Sequence, residues 1–224
     1  MRGMGPKRRS RRASRLLLLS AVLLGAAFAA PGHAAAAFAL RSLGSFDHPV
    51  YASQAPGSPN LVFVVEQPGT IRVLKDGVEQ TKPFLDISSL VEYSGEQGLL
   101  SVAFDPDYAQ NRRFYVFYVN RDTGHDLEVD QYRRSLNNPL RAPLTSRRTV
   151  ITIQHNQSDH HNGGQLQFGP DGLLYVSTGD GGTQMDPEDD AQSPTSLLGK
   201  LLRIDPLAAG GYTSPATNPF AGVS

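Results

Sequence analysis

The chain has 224 residues, 39% hydrophobic and 19% charged, which places it among ordinary globular proteins of one or two domains and excludes a disordered, collagenous or coiled-coil chain. It contains no cysteine, so a disulfide scaffold, a thiolate metal site, a thiol nucleophile and the cysteine anchor of a bacterial lipoprotein are all excluded. The formal charge of zero conceals an asymmetry: Arg2, Lys7, Arg8, Arg9, Arg11, Arg12 and Arg15 precede the first acid, Asp47, and the chain beyond residue 36 carries 21 acidic against 14 basic side chains, which argues against a nucleic-acid partner.

The basic opening runs into the apolar segment 16–30 (LLLLSAVLLGAAFAA), followed by Pro31, Gly32 and the small-residue run 34–37. That order predicts a secretory signal peptide over 1–36, cleaved near Ala36, and hence export to the periplasm or the extracellular space. At about 15 residues the segment falls short of the ~20 that a spanning helix needs, so no membrane span is expected after cleavage. Arg11-Arg12 after Ser10 suits twin-arginine export, while Ser14 and Arg15 stand where apolar residues are usual; both export routes stay open.

Beyond the signal no window sustains a 3.6-residue apolar period, whereas short β-rich runs bounded by Gly, Pro, Asn and Asp recur, which predicts an all-β domain over 37–224. Segments 61–66 (LVFVVE) and 70–74 (TIRVL), separated by Gln67-Pro68-Gly69 and closed by Lys75-Asp76-Gly77, read as two strands joined by turn residues. The same layout returns at 99–104 (LLSVAF) and 114–119 (FYVFYV) around Asp105-Pro106-Asp107, and again at 165–168 (QLQF) and 173–178 (LLYVST) around Gly169-Pro170-Asp171-Gly172. The last two units share Phe-x-Pro-Asp, with Phe104 and Phe168 64 residues apart, and each is followed by Tyr-Val, at Tyr115-Val116 and Tyr175-Val176. A strand unit recurring at that period predicts a β-propeller of four-stranded antiparallel blades. About 188 residues at ~60 per unit make about three blades, whereas closed propellers carry typically four to eight, so the chain is expected to be the N-terminal part of a longer ring.

The densest polar run, 155–164 (HNQSDHHNGG), precedes the third unit. Three readings stand for it: a metal site, for which the H-x₃-H and CxxC spacings of zinc are missing; a solvated loop; and a general acid/base site. A four-residue loop at 169–172 pairs Phe168 with Leu173, and counting seven residues outward along both strands sets His161 opposite Asp180. There a carboxylate can hydrogen-bond one ring nitrogen, fix the tautomer and raise the basicity of the other. Gly163, Gly164, Gly179, Gly181 and Gly182 flank the pair; they either leave room for a flat ligand to approach the backbone or supply positive φ in turns. No G-x-G-x-x-G follows a strand, so no dinucleotide site is expected. The acidic run Asp186, Glu188, Asp189 and Asp190 has two readings, a calcium loop or a solvated surface.

The blocks GEQGLLSVAFDPDY (95–108), HNGGQLQFGPDGLLYVSTGDGG (161–182) and SLLGKLLRIDP (196–206), with VFVVEQPGTIRVLKDG (62–77) before them, resemble the glucose/sorbosone dehydrogenase family over roughly residues 45–220. The resemblance implies a six-bladed β-propeller quinoprotein that oxidises aldose sugars at C1 to lactones with pyrroloquinoline quinone (PQQ) and calcium, passing electrons to a downstream acceptor without nicotinamide. It implies His161 as the general base, lying against the cofactor, Asp180 as the carboxylate that supports it, and Gln97 as the glutamine beside cofactor and substrate. In glucose-oxidising members the residue before the histidine is acidic; His160 stands there instead, as a substrate-pocket residue, which points to broader aldose specificity. The family's cofactor-clamping arginines and lysine and its calcium ligands fall in later blades, so no metal ligand is assigned here. Block 161–172 is also similar to that of the Hedgehog-interacting-protein propellers, which implies an alternative, a non-catalytic protein-binding module. The bacterial style of the signal and the absence of cysteine-rich modules favour the enzyme.

Overall fold

The computed structural model describes residues 39–155, 158–182, 185–186 and 188–222. The expected signal segment 1–36 lies outside the described residues, as do Asn156 and Gln157 of the polar run. Three antiparallel sheets follow one another along the chain. The first contains β1 (Pro49–Ser53), β2 (Leu61–Glu66), β3 (Thr70–Lys75), β4 (Val78–Glu79) and β5 (Leu85–Asp86). Its fourth position is shared: β4 pairs with the Leu74-Lys75 end of β3 and β5 with the Thr70-Ile71 end. Pro83, which has no N–H for a ladder, stands in the gap.

The second sheet is β6 (Leu99–Phe104), β7 (Arg113–Val119), β8 (Leu127–Arg133) and β9 (Arg148–Ile153), with the single-turn helix α1 (Tyr108–Asn111) between β6 and β7. The third is β10 (Gly163–Phe168), β11 (Leu174–Thr178), β12 (Leu201–Pro206) and β13 (Tyr212–Thr213). Each sheet pairs its strands in chain order, and β6 packs between β1 and β10. These are consecutive propeller blades with β1, β6 and β10 as leading strands. The first repeat read from the sequence is therefore one strand out of phase, because 61–66 and 70–74 are the second and third strands of their blade. Strand β1 (PVYAS) is exposed or half-buried throughout and has no apolar alternation to announce it.

Strand β7 shows why the blades adhere. Phe114, Val116 and Tyr118 enter the core shared with the first blade, beside Phe63, Ile71, Val73 and Phe84. Tyr115, Phe117 and Val119 enter the core shared with the third, beside Leu166, Leu174 and Val176. A strand buried on both faces reads as a continuous apolar run, FYVFYV, and each of its large side chains contributes about 1.5–3 kcal/mol on leaving water. The Phe of the Phe-x-Pro-Asp repeat belongs to the same packing. Phe104 meets Phe63 of the preceding blade at 4.6 Å between ring centroids, and Phe168 meets Tyr115 of its preceding blade at 5.4 Å.

At the rim of the first of these cores lies a buried ionic cluster. Arg147 donates from Nη2 to Glu128 Oε1 at 2.6 Å and from Nε to Asp130 Oδ2 at 2.5 Å, while Tyr118 OH donates to Asp130 Oδ2 at 2.8 Å. Burial, reinforced by the Glu128 charge, pushes the Asp130 carboxyl above the ordinary carboxylate range. Burial alone would raise Glu128 as well, but hydrogen bonds from Asn120, Arg147 and Thr149 hold it below its ordinary value.

Candidate active site

The leading strands β6 and β10 begin at the same end of the blades, and the residues just before them meet there. The His161 backbone N–H donates to Glu96 Oε2 at 2.9 Å, joining the start of the second blade to the start of the third. Its ring Nδ1 donates to Asp180 Oδ1 at 2.7 Å. An ionised carboxylate is acceptor-only, so in the neutral imidazole this contact puts the proton on Nδ1 and leaves the lone pair on Nε2. The His161 side chain is 40% exposed and that of Asp180 23%, so the pair is supported from behind and open in front.

The pair is reached by a route different from the one counted out on the sequence. The connection after β10 is one residue longer than expected: Phe168 pairs with Leu174, Gln167 with Tyr175 and Leu166 with Val176. A β-bulge between Gly163 and Leu166 then shifts the register back by one, so that Gly163 pairs with Thr178. Gly163 and Gly164, at φ +75° and +112°, supply the backbone that the bulge needs. With both shifts made, His161 and Asp180 face each other across the end of the hairpin.

At Gly163, Gly164, Gly179 and Gly181 the space beside the backbone offers no cradle for a flat ligand. A Cβ on Gly163 would lie 2.6 Å from Gly179 N, one on Gly164 2.8 Å from Leu100 Cβ, one on Gly179 1.7 Å from the His161 carbonyl oxygen, and one on Gly181 2.8 Å from Leu198 Cδ1. Protein atoms already fill these spaces. Their requirement is backbone geometry and close chain-to-chain packing, the second of the two readings. His161 itself sits at φ +57°, a left-handed conformation that costs a non-glycine residue roughly 1–2 kcal/mol. Its N–H is held by Glu96, its carbonyl by Gly181 N at 3.4 Å, and its ring by Asp180.

Of the other expected residues, His160 is half exposed between two carboxylates, with Nε2 3.3 Å from Asp159 Oδ1 and Nδ1 3.8 Å from Glu96 Oε1. Gln97 is 1% exposed, and no described hydrogen bond joins its side chain to His161, Asp180 or His160. Its Nε2 is buried without a partner among the described residues, and its carbonyl accepts from Gln67 Nε2 at 2.9 Å. Glu96 and Gln97 are adjacent in the turn before β6, where Gln97 is buried and Glu96 is exposed, and Glu96 is the member of the block that reaches the histidine. The sequence reading missed it, although it is the sole carboxylate in GEQGLL. Gln67 seats this turn, donating also to the Gly95 carbonyl at 2.9 Å.

In the acidic run, the Asp186 carboxylate folds back on its own backbone, accepting from Asp190 N and Ala191 N at 2.9 Å each. Among the described residues no three His, Asp or Glu side chains converge in a way that suits a metal ion.

A family model described as Glucose / Sorbosone dehydrogenase matches residues 46–224. The Hedgehog-interacting protein of Homo sapiens is 33% identical over 187 residues, spanning 76% of this chain and 26% of that protein. Aldose sugar dehydrogenase YliI of Escherichia coli (strain K12) is 28% identical over 176 residues, spanning 78% and 44%. Among solved structures, the PQQ-bound form of Aldose Sugar Dehydrogenase from Streptomyces coelicolor superposes with a TM-score of 0.67 at 27% identity, covering 82% of this chain and 51% of that one. The chain thus spans between about a quarter and a half of the length of these relatives.

Proposed function

Because the chain belongs to the glucose/sorbosone dehydrogenase family, we propose that it carries the proton-handling half of a sugar dehydrogenase site, oxidising an aldose at C1 to the lactone. The observation that carries this reading is the 2.7 Å contact between His161 Nδ1 and Asp180 Oδ1, with Nε2 left open. His161 Nε2 takes the C1 hydroxyl proton as hydride leaves that carbon, and the Asp180 carboxylate stabilises the imidazolium that forms. Glu96 holds the His161 backbone, and His160 with Asp159 forms the polar rim that an incoming sugar meets.

PQQ, named in the Streptomyces coelicolor structure, supplies hydride acceptance when bound. Its three carboxylates call for cationic partners, which the family resemblance puts in later blades. The residues placed here serve the proton transfer, so no step is routed through the quinone. Calcium and a downstream electron acceptor belong to this proposal, as does export. Among the described residues no helix is long and apolar enough to cross a membrane.

The test is the full-length protein reconstituted with PQQ and calcium. It should reduce an artificial acceptor dye when given aldoses, with no requirement for NAD or NADP. A second reading, a protein-binding propeller, is favoured by the identity to the Hedgehog-interacting protein, 33% against 28% to the sugar dehydrogenase YliI. An absorbance titration showing no bound quinone at micromolar concentration would select it.

A further inference from the structure

Lys200 lies at the foot of β12, behind the Asp180 turn. Its Nζ donates to the carbonyl oxygens of Asp190 at 2.7 Å, Leu198 at 2.8 Å and Ala191 at 3.1 Å. An ammonium has three donors, and all three are committed here to main-chain oxygens. Three carbonyls converging on one point present the ligand chemistry of a hard cation, and the side chain supplies that cation from within the chain.

The stretch 188–199 gathered by Lys200 is also fastened to the site. Gly199 N donates to the Gly179 carbonyl at 2.6 Å, Lys200 N to Thr178 Oγ1 at 3.0 Å, and Thr178 Oγ1 to the Leu197 carbonyl at 2.7 Å. The Leu198 side chain and the His155 ring both crowd Gly181, so closely that a Cβ at 181 would lie 2.8 Å from Leu198 Cδ1 and 3.1 Å from His155 Cδ2. Gly181 adjoins Asp180 and donates its N–H to the His161 carbonyl at 3.4 Å. A continuous set of contacts therefore leads from the ammonium, through Leu198 and Gly181, to the carboxylate that orients the His161 ring.

We propose that Lys200 is a positioning residue: a built-in cation that holds the 188–199 wall against the Gly179–Gly182 turn and thereby keeps Asp180 on His161 Nδ1. A neutral side chain at 200 removes the cation on which the Asp190, Ala191 and Leu198 carbonyls converge, leaving the Asp190 carbonyl its bond from Ser193 N at 3.2 Å, and the wall separates from the turn. The catalytic consequence rests on the proposed function, but the test is read without substrate or cofactor, so failure of one is told apart from failure of the other.

The experiment uses the full chain labelled with ¹⁵N. In the unaltered protein the His161 ring spectrum should show the Nδ1–H tautomer. In Lys200→Met the Nε2–H form should grow at its expense, with amide exchange over 190–199 faster by at least about tenfold. In Lys200→Ala, n-propylammonium, which replaces the lost side chain, should restore both signals, whereas tetramethylammonium, which has no N–H, should not. An unchanged tautomer in Lys200→Met, or no response of Lys200→Ala to propylammonium, overturns the proposal. If Lys200→Met does not fold, Lys200→Arg gives the same readout with the charge kept: its planar fork cannot converge on three carbonyls. Partial loss of the Nδ1–H form then supports the proposal, and an unchanged spectrum overturns it.

Discussion

The carbonyl oxygen of His161 occupies the space that a side chain on Gly179 would need. An ideal Cβ at 179 falls 1.7 Å from that oxygen and 2.3 Å from the carbonyl carbon, and neither atom is the end of a flexible side chain. Gly179→Ala should therefore displace the His161 backbone, cost more than about 2 kcal/mol of stability and abolish turnover. Gly172→Ala is the control: its Cβ meets nothing within 4 Å, so the φ of +77° alone should cost about 1–2 kcal/mol and leave turnover intact. Urea unfolding alongside dye reduction separates the two.

If His161 is the base, His161→Ala should lower kcat by about 10²–10⁴-fold while quinone affinity changes little. Asp180→Asn keeps the shape but removes the charge that stabilises the imidazolium, and it should lie between His161→Ala and the unaltered protein. Stopped-flow dye reduction measures the first effect, and quinone titration checks binding. Turnover preserved in His161→Ala would discard the assignment.

Glu96 acts on His161 through a backbone hydrogen bond, so what matters is an acceptor oxygen at that point. Glu96→Gln should retain most activity, because its amide oxygen can accept from the same N–H. Glu96→Ala releases a residue held at φ +57° and should lower kcat by at least about tenfold. Equal losses in the two variants would show that the negative charge, facing His160, is the operative feature.

The Glu128, Asp130 and Arg147 cluster predicts a pH effect on stability. Asp130 binds its proton more tightly in the folded chain than unfolded, so its contribution is largest below its ordinary pKa and declines as pH rises through the raised value. Glu128 is held below its ordinary value, so its contribution is present above that value and is lost as pH falls through the lowered one. Arg147→Met leaves two buried carboxylates facing each other and should cost about 3–5 kcal/mol near neutrality. The loss should shrink as pH falls, because Asp130 takes up its proton at a higher pH than an ordinary carboxylate. Urea melts at pH 7.5 and pH 5 measure the difference; a loss independent of pH would count against an ionised Asp130 in the folded chain.

Strand β6 was legible residue for residue in LLSVAF, and β7 to within one residue, because a run sandwiched between two apolar cores declares itself by composition alone. Strand β1 was not, since its partners are main-chain atoms of β2 and its side chains carry no pattern. The His161 and Asp180 juxtaposition was reached from a four-residue loop that the chain does not form. The longer connection and the bulge at Gly163-Gly164 shift the register in opposite senses, and neither is written in side-chain alternation. A linear block does not say that the Glu96 carboxylate reaches the His161 N–H; the turn that brings it there is seated by Gln67, nearly thirty residues away.

The bond from the His161 N–H to Glu96 crosses a blade boundary, as does the buried one from Ser101 Oγ to the Gly164 carbonyl at 2.5 Å. Neither sheet holds the histidine alone. A small slip of the third blade against the second would release the His161 backbone from Glu96 while the His161–Asp180 contact and every ladder within each sheet stayed intact. Gradual loosening by urea should thus silence the chemistry before the far-ultraviolet signal of the strands begins to change, making activity the more sensitive gauge of how firmly these two blades are docked.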